Sequence, residues 1–389
     1  MKKSYLASFM CGVLSMAFLV AGVVSIKNVV SLKADKSMEV TKSTDSKLEL
    51  LQKYIDTFYL DSGDLKKSDM EDGIYKGYVS ALEDPYSQYF TKEEYQELME
   101  SSSGEYKGIG VVVSQNNETG VITMISVYDN TPAKEAGLKD GDVLYKVEGE
   151  EVTGVDIDKV VSEIKGEEGT KVNIEVYRAS EDKYIEFDVE RRTIEIPTVA
   201  SEMIDEKNKI GYVHILQFDS NTDEIFSKKI KELKEQGMKS VVFDLRNNPG
   251  GNYDTVCNML DELLPEGTLV YTLDKYGKKE VEKSDEKCLD IPMVVLMNKN
   301  SASASEIFAG AIQDYKAGTI VGTQSFGKGI VQTVFGLDDG SAIKLTVSKY
   351  YTPNGKNIHK KGITPDVEVE DDADTKADEQ LLKALEQLK

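Results

Sequence analysis

The sequence predicts a multidomain protein of the α/β class, with a helical N-terminal module, a β-rich middle and a mixed-sheet C-terminal half. Three observations carry this. At 389 residues the chain exceeds one ordinary domain, and its 40% hydrophobic content supplies more than one core. Apolar residues recur at spacings of three and four before residue 100, then give way to short Val-rich runs between 105 and 190. From Arg191 onward, strand and helix patterns alternate, as in a layered α/β architecture.

The chain begins with Lys2 and Lys3, followed by a run without charge from Ser4 to Ile26. About 20 apolar residues span a bilayer core. Residues 4–26 are therefore expected to be a transmembrane signal anchor, with 1–3 as a cytoplasmic tip and the rest outside. A cleaved signal peptide, giving a secreted protein, is the alternative. Cys11 follows bulky Phe9 and Met10 inside the run, unlike a lipoprotein cysteine. Residues 27–47, rich in Lys, Ser, Thr and Asp, read as a solvated linker.

Residues 48–104 form the helical module. Leu48, Leu51, Tyr54, Ile55 and Phe58 share one face, and Ile74, Tyr78, Val79 and Leu82 another, ending at Asp84-Pro85. Thr91 and Glu94 have the spacing of a capping box. Such thin amphipathic helices call for a partner surface, and a homodimer is expected.

Residues 105–190 contain Tyr106-Lys107-Gly108-Ile109-Gly110-Val111, a run from Thr131 to Asp142, Val147-x-Gly149, and Gly166-x-x-Gly169-Thr170. Thr131 and Pro132 are expected to start a helix of about one and a half turns that Gly137 ends. Four motifs in this order resemble a PDZ domain of the circularly permuted bacterial type. The resemblance implies capture of a free C-terminus by backbone N–H groups at Gly108, Ile109, Gly110 and Val111. Glycine permits such convergence on a carboxylate, and an exposed strand edge pairs with an extended peptide.

In residues 191–370, strands are expected at Ile210–Ile215, Ser240–Leu245 and Met293–Met297. Helices are expected over Asp223–Gln236, Asp254–Leu264 and Ala304–Tyr315. Three loops fall at the carboxyl ends of strands, where α/β proteins place their sites. Asp244 to Gly251 ends in a Gly pair able to aim N–H groups at an anion. Asn298 to Glu306 places serines at a helix N-terminus, which suits a nucleophile whose product is an oxyanion. Gly322 to Gln332 holds Lys328 between two glycines in an apolar setting, where loss of solvent lowers a lysine's affinity for its proton. Residues 371–389 read as an acidic linker and a terminal helix.

Taken together, these segments resemble the carboxy-terminal processing proteases, the tail-specific family of PDZ-containing Ser-Lys peptidases. Asp84-Pro85-Tyr86-Ser87 and Gly362-Ile363-x-Pro365-Asp366 match as well. The resemblance implies a serine endopeptidase in which a PDZ domain is inserted between the helical module and the α/β protease core. It makes Ser303 the nucleophile and Lys328 the general base, with Gln332 orienting the lysine amine. It also points to Asp314 as a relay, although a carboxylate beside Lys328 would oppose its role as a base. The oxyanion hole would use the backbone N–H of Ala304 and of Gly250 or Gly251. Protein tails are the expected substrates.

Composition excludes other chemistries. A net charge of −22 argues against nucleic acid. Three Cys without a CxxC pair and only His214 and His359 argue against a zinc site, so neither metal nor cofactor is expected. No G-x-S-x-G elbow supports a Ser-His-Asp hydrolase. Ser325-x-x-Lys328 has the spacing of penicillin-recognising enzymes, but no K-T-G segment accompanies it. A membrane-tethered, non-catalytic PDZ adaptor is the alternative from another class.

Overall fold

The protein is described by a computed structural model over residues 20–25, 40–116, 119–370 and 377–389. These residues divide into two compact units, one comprising 100–198 with 219–221 and the other the remainder.

The larger unit is built on a sheet whose strands run in the order 199–205, 210–215, 240–244, 293–297, 318–322 and 367–368. The first pair is antiparallel and the rest are parallel. Ser240–Asp244 and Met293–Met297 are buried at every position, because helices cover both faces. Thr222–Glu235, Tyr253–Asp261 and Ala304–Tyr315 supply core residues with Phe243 and Val295 on one side. On the other side, Glu379–Gln387 packs Ala384 with Val242 and Val294. Each fully buried Phe, Leu or Val contributes roughly 1.5–3 kcal/mol.

A second sheet orders Ile330–Gly336, Ala342–Tyr351, Gly267–Asp274 and Lys279–Ser284, with Gln88–Phe90 pairing to Ala342–Lys344. Val20–Ser25 lies parallel to Ile330–Gly336, with Val20 beside Gln332. Those six residues belong to the expected anchor and are extended here; residues 4–19 and 26 lie outside the described residues. Among the described residues, no helix is long and apolar enough to cross a membrane.

The first helix starts at Val40, inside the segment expected as a linker, and runs to Phe58. Lys67–Ser80 and Lys92–Ser103 follow. The Thr91–Glu94 capping box forms in both directions, at 2.9 and 3.2 Å. The apolar faces of the first two helices stay largely open: Leu51, Tyr54, Phe58 and Tyr78 are all exposed.

In the smaller unit, a five-strand path runs 111–115, 122–127, 143–147, 171–178 and 183–190 around a core that includes Ile109, Ile122, Val160 and Ile174. Pro132–Ala136 is the short helix expected, ended by Gly137 at φ +97°. Thr131 does not cap it: its hydroxyl donates to the Tyr128 carbonyl at 2.7 Å. Asp142 and Arg178 form a buried pair at 2.7 Å that ties the loop after this helix to the sheet.

Candidate active site

Ser303 precedes the helix Ala304–Tyr315 and has φ +58° and ψ −113°. A non-glycine residue in this region is strained and persists only when its surroundings hold it. Glu306 holds it, accepting the Ser303 N–H at 2.9 Å. A serine at this position usually spends its hydroxyl capping its own helix. Here the turned backbone leaves the fully buried Ser303 Oγ without a hydrogen-bond partner. The Ser303 carbonyl receives the Tyr350 hydroxyl at 3.2 Å.

Glu306 also brings in the lysine loop. Its carboxylate accepts the Lys328 N–H at 2.8 Å, the Gly327 N–H at 2.7 Å and the Ser325 hydroxyl at 2.5 Å. One buried carboxylate therefore fixes the backbone of both Ser303 and Lys328. Burial pushes the Glu306 carboxyl above its ordinary range, and the four donors oppose that rise. Ser325 is thus committed to Glu306 and to the Ile363 N–H at 2.6 Å, a structural staple.

Lys328 is 1% exposed, with Nζ 4.8 Å from the centre of the Tyr86 ring. Burial pushes its ammonium down to about 7, against the nearby charges of Glu306 and Asp84. A second lysine, Lys344, is fully buried on the adjacent strand with Nζ 5.0 Å from the Phe90 ring centre. Burial and the charge of Lys328 push it down to about 7 as well. Gln332, also fully buried, donates from Nε2 to Thr346 Oγ1 at 3.2 Å.

The Asp244–Gly251 loop is stapled to the Ser303 loop. Asn248 donates to the Ile215 carbonyl at 2.8 Å, and its own carbonyl accepts the Ala302 N–H at 3.1 Å and the Ser305 hydroxyl at 2.9 Å. A Cβ on Gly250 would lie 2.8 Å from Ser303 Cβ and 2.9 Å from the Ala304 nitrogen, so this glycine sits directly against Ser303. The two glycines left open by the sequence now differ. The Gly250 N–H is spent on Asn248 Oδ1 at 2.8 Å. The N–H groups of Gly251 and Ala304 meet no acceptor among the described residues. Behind the loop, Arg246 binds Asp244 and reaches Asp378 of the C-terminal segment at 2.8 and 2.9 Å.

Asp314 is not brought to this place. It lies at the far end of the helix, roughly 16 Å from Ser303 at 1.5 Å per residue. There it accepts the Asn354 N–H at 2.8 Å and pairs with Lys356 at 3.3 Å. From sequence, Glu306, Thr346 and Lys344 had no assigned role, and Asp84 and Tyr86 stood only as part of a matching motif. The Ser303-x-x-Glu306 spacing of a capping box was the signal available for the first.

In the smaller unit, Gly108–Val111 joins two strands. The Ile109 and Gly110 carbonyls accept from Ala133 and Tyr128 at 2.9 and 3.0 Å. The Tyr106 ring packs over Gly108, and its hydroxyl lies beside the backbone N–H groups of Gly110 and Val111.

A buried serine hydroxyl, a buried lysine of lowered pKa and a glycine loop against the serine thus lie in one region of the larger unit. Comparison with known proteins gives the family. The models for Peptidase family S41 and PDZ domain match residues 209–369 and 124–178. Carboxy-terminal processing protease CtpA of Bacillus subtilis is 37% identical over 342 residues, covering 87% of this chain and 72% of that protein. The carboxyl-terminal-processing protease of Synechocystis sp. is 36% identical over 295 residues, 75% of this chain and 69% of its own length. The solved photosystem II D1 C-terminal processing protease is 28% identical with a TM-score of 0.50, covering 88% of this chain and 91% of that one. The chain is a serine-type peptidase carrying a PDZ domain. It belongs to the carboxy-terminal processing proteases of peptidase family S41.

Proposed function

We propose that this peptidase cleaves protein substrates through a Ser303–Lys328 dyad. The observation that carries the reading is Glu306 holding the backbone of both residues, one with a spare hydroxyl and the other with an amine of pKa about 7. Neutral Lys328 removes the Ser303 proton as Oγ attacks the scissile carbonyl, and Gln332 orients the amine. The N–H groups of Ala304 and Gly251 receive the oxyanion, each such donor being worth roughly 2.7–4 kcal/mol in kcat. The lysine then protonates the leaving amine, and water hydrolyses the acyl-enzyme. Ser303→Ala and Lys328→Ala should each abolish cleavage of fluorescein-labelled β-casein while leaving far-UV circular dichroism unchanged. Wild-type activity in either variant excludes the dyad. Binding of C-terminal peptides without proteolysis in any condition favours the non-catalytic adaptor instead.

Three further features complete the proposal. Substrates are selected by a free C-terminus held at Gly108–Val111; the PDZ match at residues 124–178 supports peptide binding by this unit. Residues 4–26 anchor the protein in the membrane with the protease outside the cytoplasm. This requires Val20–Ser25 to leave its pairing with Ile330–Gly336. Release of the full chain by alkaline carbonate excludes an anchor. The open apolar faces around Leu51, Tyr54 and Phe58 pair with a second copy. Sedimentation of a Leu51→Glu/Phe58→Glu variant at the same mass as the wild type excludes that surface.

A further inference from the structure

Behind Gln332 stands a row of polar side chains that proton transfer itself does not need. Gln332 Nε2 donates to Thr346 Oγ1, while the buried Oε1 has no hydrogen-bond partner. Gln332 and Thr346 face each other across neighbouring strands. Thr346 is one of the groups that hold the Asp84 carboxyl down, which places its hydroxyl beside that carboxylate. Ser87 closes the cluster, accepting the Thr346 N–H at 3.1 Å and donating to Asp84 Oδ2 at 2.6 Å. The Tyr86 N–H adds a third donor to Asp84 at 3.1 Å.

The direction of this chain follows from proton counting. A carboxylate only accepts, so the single hydroxyl proton of Thr346 goes to Asp84. The Thr346 oxygen then accepts, and only the NH2 end of Gln332 can face it. The carbonyl end is left pointing the other way. Burial alone would raise the Asp84 carboxyl, but its hydrogen bonds outweigh that and hold it below the usual range, so it stays an acceptor.

We propose that Asp84 and Thr346 are positioning residues that lock the Gln332 amide with Oε1 presented to the Lys328 amine, so that the Asp84–Ser87 segment of the N-terminal module completes the active site. This rests on the dyad reading. An amide of the opposite orientation would direct NH2 at the amine, a donor where the lysine's own N–H groups need an acceptor. Tyr86 of the same segment roofs the lysine from its ring face. Among the described residues, the groups near Lys328 include Glu306, Asp84, Lys344 and Tyr86, with Tyr350 against Ser303 and His359 packed on Gly329.

The test uses the full chain on fluorescein-labelled β-casein, with thermal unfolding as a check on folding. Thr346→Val keeps the shape and removes the hydroxyl; kcat should fall about 10- to 100-fold with KM nearly unchanged. Thr346→Ser should restore kcat to within about threefold, because the hydroxyl is all that is required. Asp84→Asn keeps the size of the side chain and removes its charge; it should lower kcat and also move the acid limb of kcat/KM down by about one pH unit, since an anion beside the lysine is gone. Wild-type kcat in Thr346→Val, no recovery in Thr346→Ser, or an unmoved acid limb in Asp84→Asn each overturns the proposal. Failure of the dyad itself shows separately, as residual cleavage by Ser303→Ala or Lys328→Ala.

Discussion

The buried lysine makes a prediction that can be measured without any substrate. An exposed lysine keeps its proton to about 10.5, whereas burial brings Lys328 to about 7. Between those values the unfolded chain binds more protons than the folded one, so stability rises with pH across that window. Each unit is worth ~1.4 kcal/mol, so holding the charged form inside costs roughly 5 kcal/mol below pH 7. At pH 7 the lysine is half neutral, which leaves a cost of roughly 4 kcal/mol; by pH 10, still below the ordinary lysine value, roughly 1 kcal/mol remains. Lys328→Met removes the charge while keeping the length of the side chain. Lys344 still titrates in both proteins, and in the variant its own pKa rises as the like charge disappears. In a Ser303→Ala background, which prevents self-digestion, urea unfolding followed by circular dichroism should show Lys328→Met more stable at pH 7. That advantage should shrink by ~3.5 kcal/mol between pH 7 and pH 10. Parallel pH profiles for the two proteins would refute the reasoning. In the active enzyme the same titration should give kcat/KM an acid limb near 7, falling tenfold per unit below it.

Four other outcomes are expected. Glu306→Gln puts an NH2 where four donors converge, and should cost ~1–3 kcal/mol of stability with loss of most peptidase activity, measured by denaturant titration and casein hydrolysis. Gly250→Ala should abolish activity, because a Cβ at φ +104° would meet the Ala302 oxygen at 2.7 Å; a soluble variant with normal turnover would contradict the placement of this loop. Burial alone would raise the Asp378 carboxyl, but Arg246 more than offsets it, so this pair should stabilise the fold above the ordinary carboxylate pKa and fade as pH falls. Asp378→Asn should therefore flatten the acid side of a melting profile between about pH 5 and 3. Tyr106→Phe removes the hydroxyl beside the Gly110 and Val111 N–H groups and should tighten binding of a free C-terminal peptide, read by fluorescence anisotropy.

The chain order of elements was legible because it depends on local periodicity. The buried strands at Ser240–Asp244 and Met293–Met297 read as continuous apolar runs, and the Thr91–Glu94 box read as a helix start. Ser303, Lys328 and Gln332 came forward as candidates through the family resemblance that their short glycine- and serine-rich loops carry. What the sequence could not express was which distant groups share a site. Asp84 and Thr346 stand 262 positions apart and meet only because a short strand of the N-terminal module pairs beside the strand carrying Thr346. Lys344 shares a strand face with Ala342 and Thr346, and a lysine there carries no sign in the sequence that the fold buries it completely. Glu306 looked like an ordinary cap residue, and only the return of the Ser325–Lys328 loop turned it into the clamp between serine and lysine. Asp314, which the family resemblance offered as a relay, is carried by its helix away from the site. Local pattern sets which residues are helix, strand or reactive loop. Long-range packing sets their solvent exposure and neighbouring charges, and those two quantities decide whether a lysine is a surface cation or a base.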